Sequence, residues 1–278
     1  MSWGAARRLV ESGKVSVDGR RELDPTVAVR EGASIAVTMA APKPRAESPV
    51  AGDDLVYLDG HVVVVKKPAG VSTVPYDEHE KGALSELVHA LLKRRGGPVA
   101  ELGIVHRIDK ETSGLVLFAR TLAAKRALKQ QFRFHSVERR YVALAHGSVR
   151  AATHRSRLVK DRGDGRRGST ENPELGRDSV THVKPLEALA GATLVECRLE
   201  TGRTHQIRIH LAEAGHPLVG ERVYGRSYRG ERIEAPRLML HAFELGFEHP
   251  TTGKPMHFEQ PMPEDMERVV QGLRRGSR

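Results

Sequence analysis

Read for hydrophobic and polar positions, the chain falls into a weakly apolar start, an unpatterned Ala/Pro stretch and a long remainder with strongly apolar runs. In the start, Trp3 to Ser12 predicts a short helix ended by Gly13, and Val15 and Val17 then alternate with polar residues up to a turn at Asp18 and Gly19. A second turn at Asp24 and Pro25 precedes Val27 and Val29, and Glu31 and Gly32 precede Ile35 and Val37. Over 40–54 the periodicity is lost, and Pro42, Pro44 and Pro49 block regular structure, which predicts a linker and a boundary near residue 50. The expected organisation is a small unit over 1–39, a Pro-rich linker over 40–54 and one large domain over 55–278.

In the large domain, Val62 to Val65 predicts a strand running into a turn at Pro68 and Gly70. Ala83 to Arg95 places Leu84, Leu87, Val88, Leu91 and Leu92 on one helical face, with Gly96 and Gly97 as stop signals. The unbroken run Leu115 to Ala119, between Gly114 and Arg120, has the signature of a strand buried on both faces. Thr121 is placed to cap a helix reaching Phe134, and Arg139 to His146 alternates with Val142 and Leu144 on one face and Tyr141, Ala143 and Ala145 on the other. Residues 150–178 are polar, basic and Gly-rich, which predicts a long loop. Thr193 to Glu200 reads as a strand with Val195, Cys197 and Leu199 inward, making Cys197 a small core residue. Ile207, Leu211 and Ala214 share a helical face that stops at Gly215, with Thr204 as the expected cap, and the tail predicts two strands around a turn at 250–254.

Charge narrows the partners. With 45 Lys and Arg against 35 Asp and Glu the formal net charge is +10, which favours a polyanion, and nucleic acid is the leading one. No apolar run approaches the ~20 residues needed to span a bilayer and no signal-peptide core follows Met1, so a cytoplasmic protein without a membrane partner is expected. The single cysteine excludes an internal disulfide and a cysteine-based zinc cage. His205, His210, His216 and His241 lack the spacing of a metal site, and there is no P-loop or dinucleotide fingerprint, so neither metal nor cofactor is expected.

The candidate chemistry lies in Gly103 to Arg120, GIVHRIDKETSGLVLFAR, where His106, Arg107 and Asp109 sit at the rim of the buried strand. An Asp before a strand is ordinarily a turn former. The whole string, however, resembles the H-R-L-D-x-x-T-S-G signature of the RluA-type pseudouridine synthases, with Ile108 in place of Leu. RRYVA at 139–143 resembles that family's active-site tyrosine motif, and TGRTHQIRIHL at 201–211 resembles its T-G-R-T-H-Q-I-R-x-H-L motif. The K-P-x-G element at 67–70 resembles its first motif. Glu221 stands where the family's G-D-x-x-Y-G more often has Asp, a departure expected hardly to touch catalysis. The first forty residues resemble the second half of an S4 RNA-binding domain with most of the first helix absent.

The resemblance implies an α+β fold with a large mixed, mainly antiparallel sheet flanked by helices, and isomerisation of uridine to pseudouridine in structured RNA without a cofactor. It makes Asp109 the catalytic carboxylate, lays Tyr141 against the target base and pairs Arg208 with Asp109. Arg107 becomes a candidate for RNA contact and nucleotide displacement, with His106, Arg203 and His205 as further RNA contacts. Arg7, Arg8 and Lys14, with Arg20 and Arg21, are candidate phosphate contacts of the S4-like unit, a solvated basic face being the alternative reading. An S4-like unit tied to a synthase domain resembles the ribosomal large-subunit branch, so rRNA is favoured over tRNA and a monomer is expected. A non-catalytic RNA-binding protein that keeps the fold is the competing reading, and whether Asp109 attacks C1′ or C6 stays open.

Overall fold

A computed structural model describes residues 3–22, 25, 27–41, 49–96 and 101–276, without the side chains of Glu11 and Arg21. Asp24 of the expected second turn, Pro42 and Pro44 of the linker, the stop signal Gly97 and the Arg21 side chain lie outside the described residues. Chain contacts divide the protein into two compact units, Met1–Ser48 and Pro49–Arg278.

In the first unit, α1 (Trp3–Glu11) is followed by three short strands, β1 (Val15–Val17), β2 (Arg20–Glu22) and β3 (Ile35–Val37). β1 is central and antiparallel to both neighbours. Asp18 and Gly19 turn the chain with positive φ, and the Asp18 carboxylate accepts the backbone N–H of Ser34 at 2.8 Å, which ties the turn to the start of β3. Val27 and Val29 are exposed and form no strand.

The second unit runs β4 (Leu55–Leu58), β5 (Val62–Lys67), α2 (Leu84–Arg94), β6 (Gly103–Ile104), β7 (Ser113–Ala119), α3 (Leu122–Arg133) and β8 (Glu138–His146). It continues with β9 (Ala152–Val159), β10 (Gly168–Thr170), β11 (Arg177–Leu189), β12 (Ala192–Leu199), α4 (Gln206–Glu213), β13 (Leu240–Glu248), β14 (Pro255–Glu259) and α5 (Glu264–Gly276). Eleven strands make one sheet in the order β10-β9-β11-β12-β8-β13-β7-β5-β4, with β14 added to β13 and β6 to β7. β13 pairs parallel with β7 and antiparallel with β8, so a late strand joins two halves of the sheet.

The run Leu115 to Ala119 explains why β7 is central. Val116 and Phe118 enter one core cluster with Tyr141, Ala143, Val195, Cys197 and Ile207, whereas Leu115, Leu117 and Ala119 enter another with Ala124 and Leu128 of α3. Alternate residues of a strand point to opposite faces, so both faces here are dry. α3 begins where Thr121 accepts the N–H of Ala124 at 3.1 Å, the cap read from sequence. β7 enters the sheet at Gly114, whose φ is +118 and where a Cβ would stand 2.2 Å from the Ala242 carbonyl oxygen. Only glycine fits where β7 meets β13.

Three expectations are corrected. Residues 150–178 contain β9, β10 and the start of β11 rather than one long loop. Arg155 and Arg157 stand among exposed and half-buried positions and only Leu158 of β9 is buried, so hydrophobic alternation, the usual strand signal, is missing at this sheet margin. Backbone pairing from Arg177–Leu158 to Val183–Ala152 holds the strands instead. Val50, inside the expected linker, is fully buried in the main core, so the packed domain begins at Pro49, close to the boundary expected near residue 50 but before the expected domain start at residue 55. The C-terminal helix α5, which the strand reading of the tail did not foresee, buries Met266 and Val270 against Val142 and Leu144.

Candidate active site

Asp109 stands in the loop between β6 and β7, and its flanking peptides are tied to the 67–73 segment. Thr73 Oγ1 donates to the Ile108 carbonyl at 2.8 Å and accepts the Ile108 N–H at 3.2 Å. On the other side the Lys110 carbonyl accepts from the Gly70 N–H at 2.8 Å and from Lys67 Nζ at 2.9 Å. Lys67 is almost wholly buried and gives its other two bonds to the carbonyls of Pro68 and Val71. An ammonium with three donors and three carbonyl acceptors is a satisfied structural group, although burial pushes it down to about 7. The K-P-x-G element thus fixes the direction in which Asp109 points. Lys67 and Thr73 were legible as scaffold at most, since they touch Asp109 only through its neighbours.

Arg208, on α4, brings the second charge. Its Nη1 lies 3.8 Å from Asp109 Oδ2. Its firmer partner is Glu221, which takes Nε at 2.7 Å and Nη2 at 2.8 Å. Glu221 also accepts the backbone N–H groups of Val223 and Tyr224. Burial raises the Glu221 carboxyl, but these bonds outweigh it and hold the group below the usual carboxylate range. Position 221 thus stands beside the candidate site, where its carboxylate, which either Glu or Asp can supply, anchors the guanidinium that reaches Asp109. Tyr224 joins the same cluster, with its ring 5.4 Å from the Arg208 guanidinium carbon and its hydroxyl 2.7 Å from His205 Nδ1.

α4 starts differently from the expected Thr204 cap. His205 occupies the cap position in the left-handed region, φ 59, without a side-chain cap bond. The Gln206 side chain closes the turn instead, accepting from the Arg203 N–H at 2.9 Å and the Thr201 hydroxyl at 2.8 Å. The His205 ring is thereby turned toward the same cavity as Arg208.

Asp109, Tyr141 and Arg208 line one cavity of about 240 Å³, together with His106, Arg107, Thr112, Phe132, Arg139, Arg203 and His205. Tyr141 comes from β8, and burial pushes its phenol up to about 12, with Arg139 opposing and the Asp109 charge adding to the rise. The phenol is protonated at neutral pH and able to donate. His106 is part of the wall: its Nε2 accepts the Leu117 N–H at 2.9 Å, its ring stacks on Phe132 at 4.8 Å, and burial and the Arg139 charge push it down to about 3. Arg107 is exposed at the rim, while Arg203 donates to the Asp178 carbonyl at 3.0 Å. Arg139 is 7% exposed, with its Nη2 on the Glu200 carbonyl at 2.8 Å and its guanidinium carbon 5.5 Å from the Phe132 ring centre.

Arg7, Arg8 and Lys14 belong to the first unit, where both arginines are exposed and Lys14 is half-buried. The four histidines considered for a metal have separate partners. His205 meets Tyr224, His210 meets Thr181 and Ser156, His216 meets the His146 carbonyl, and His241 meets Ser113 and the Gln260 carbonyl. Among the described residues, the one group of possible metal ligands close together is Glu138, Glu244 and His257, none of which lines this cavity. No described helix is long and apolar enough to cross a membrane.

A carboxylate whose flanking peptides are tied down, a guanidinium beside it and a protonated phenol thus line one small cavity. The same arrangement has relatives. The RNA pseudouridylate synthase family matches residues 61–213. The chain is 38% identical, over 96% of its length and 88% of the relative's, to ribosomal large subunit pseudouridine synthase D of Zymomonas mobilis. It is also 38% identical, with the same coverage, to the uncharacterized RNA pseudouridine synthase YlyB of Bacillus subtilis. Among solved structures, human RNA pseudouridylate synthase domain containing 4 shares the fold with a TM-score of 0.67 at 21% identity, over 80% of this chain and 93% of that one. The chain belongs to the RNA pseudouridylate synthase family.

Proposed function

We propose that this protein isomerises specific uridines of large-subunit ribosomal RNA to pseudouridine, with Asp109 as the nucleophile, Tyr141 against the base and Arg208 aiming the carboxylate. The carrying observation is the convergence of these three side chains, from a loop, a strand and a helix distant in sequence, on one cavity whose floor is pinned by Lys67 and Thr73. A guanidinium near a carboxylate restricts its direction, which attack needs. A cavity of about 240 Å³ admits one base and not a duplex, so the uridine enters flipped out of its stack. Arg107, exposed at the rim, is placed to fill the space left behind.

The ribosomal target is supported by the names of the relatives, several of which are large-subunit synthases. The net charge of +10 suits a large polyanion. The first unit, resembling part of an S4 domain, serves as a second RNA grip through Arg7, Arg8 and Lys14, and the protein acts as a cytoplasmic monomer. Asp109→Asn tests the reading: release of tritium from RNA labelled at uridine C5 falls to background, while RNA affinity and folding stay near those of the parent. Turnover that survives the substitution overturns Asp109 as the nucleophile.

A further inference from the structure

Among the described residues, three buried side-chain polar atoms have no hydrogen-bond partner, namely Thr112 Oγ1, Arg139 Nε and His146 Nδ1. Two of the three residues, Thr112 and Arg139, line the cavity that holds Asp109. Buried polar atoms are nearly always satisfied, so orphans gathered at one site call for a ligand that completes them. Arg139 is the more demanding case because it carries a full charge.

The Arg139 guanidinium lies between two walls of that cavity. Phe132 faces it on one side at 5.5 Å, and Gly202 stands on another, where a Cβ would come 2.5 Å from Nη1. The glycine of the TGRTHQ motif thus leaves the room that the arginine of the RRYVA motif occupies. The neighbouring charges do not neutralise it. Nη2 is bound to a carbonyl, the nearby ionisable groups are the Tyr141 phenol, the His106 imidazole and the Arg203 cation, and no carboxylate among the described residues pairs with it. An uncompensated buried cation is strongly destabilising, and such a group is retained where something anionic comes to it. Asp109 is committed to Arg208.

We infer that Arg139 is the cation that faces the uracil ring and stabilises the negative charge that develops on it as the glycosidic bond breaks. The inference rests on the synthase reading above. When the C1′–N1 bond opens, its electron pair leaves with the ring and spreads over N1 and the two carbonyl oxygens. With Asp109 bonded to C1′ in that step, the ring turns, C5 bonds to C1′ as the Asp109–C1′ bond breaks and returns its electron pair to the carboxylate, the C5 proton is lost to solvent and N1 takes one up, so nothing is oxidised and atoms balance. If Asp109 adds at C6 instead, the electron pair of the C5–C6 double bond moves to the C4 carbonyl oxygen, and the C6–O bond breaks again when that double bond re-forms and the carboxylate leaves. Both routes place an anion on the base, and a preorganised guanidinium in a dry cavity serves either.

The test compares Arg139→Met with Arg139→Lys, which keep similar stems and differ in charge. Saturating RNA, tritium release and a separate RNA-binding titration are used, with the parent protein in the same assay. The Met variant loses about 100-fold in kcat with RNA affinity changed by less than about 3-fold, and the Lys variant recovers a substantial part of the rate. In Arg139→Ala, added guanidinium ion restores rate and urea, its neutral analogue, does not. Equal rates for Met and Lys, or a loss confined to RNA affinity as for a phosphate contact, overturn the proposal. Rescue by urea as well as guanidinium makes the role one of filling space and also overturns it. A parent protein that makes no pseudouridine fails the synthase reading itself, a result distinct from either.

Discussion

The guanidinium of Arg208 is held by the carboxylate of Glu221 through two hydrogen bonds of 2.7 and 2.8 Å, and both side chains are buried. The pair turns the third nitrogen of Arg208 toward Asp109. Glu221→Gln keeps the shape and removes the charge, leaving a buried cation whose remaining carboxylate contact is the longer one to Asp109. The variant loses about 3 kcal/mol of stability, the usual cost of breaking a buried pair from one side, and turnover falls with it. Urea unfolding and tritium release check the two losses, and a parental midpoint would mean that the pair contributes little. Glu221→Asp, which keeps the charge, recovers most of both.

Tyr141→Phe keeps the ring in the core cluster with Ala143 and Ile207 and removes the hydroxyl alone. Because the phenol is protonated at neutral pH, what is lost is a hydrogen-bond donor, not an anion. Turnover on saturating RNA drops by about 10-fold or more, in the range of a positioned proton donor, while binding of the RNA is nearly unchanged. Equal losses in binding and rate would assign the residue to packing.

Acid should unfold this protein through its buried histidines. Burial pushes His106 down to about 3 and His210 and His241 down to about 4. In the unfolded chain a histidine titrates near about 6.5. Between those limits the unfolded chain binds protons that the folded one refuses, so their contribution is whole above about pH 6.5 and is lost as pH falls toward 4. Each ring contributes up to about 1.4 kcal/mol per pH unit in that window. Urea midpoints measured from neutral pH downward report the slope, and a flat midpoint would show the rings free to protonate.

Removing the first unit separates RNA grip from chemistry. The shortened protein begins at Pro49, because Val50 is buried in the main core and a later start would open a cavity there. It isomerises saturating RNA at the parental rate but binds with lower affinity and a shallower dependence on salt, since fewer phosphates are neutralised. Equal salt slopes for the two proteins would show that Arg7, Arg8 and Lys14 grip no RNA.

The legible parts of this molecule are those where one residue's chemistry decides its place. Leu115 to Ala119 announced a strand dry on both faces, and the motifs around Asp109, Tyr141 and Arg208 named the side chains that the fold brings to one cavity. β9 was illegible because its positions are largely exposed or half-buried and its order comes from backbone pairing, which leaves no mark on side-chain pattern. α5 did leave a mark, with Glu264, Asp265 and Glu267 in its first turn and Arg274 and Arg275 in its last, but the strand pattern before it dominated the reading. Glu221 was missed because its importance lies in a contact with Arg208, 13 positions earlier, and not in its own motif.

The seam at β13 bears on when the protein becomes active. Asp109 and Lys67 belong to the half of the sheet containing β5 and β7, whereas Tyr141 and Arg139 belong to the half containing β8 and β12. β13 joins these halves, and its His241 meets Ser113 of β7, 128 positions away, at 2.9 Å. A chain still emerging from the ribosome therefore carries every one of the three principal side chains well before it carries the strand that aligns them. The halves are joined only once Leu240 to Glu248 stand between them, so the cavity is complete only in a chain that has reached β13.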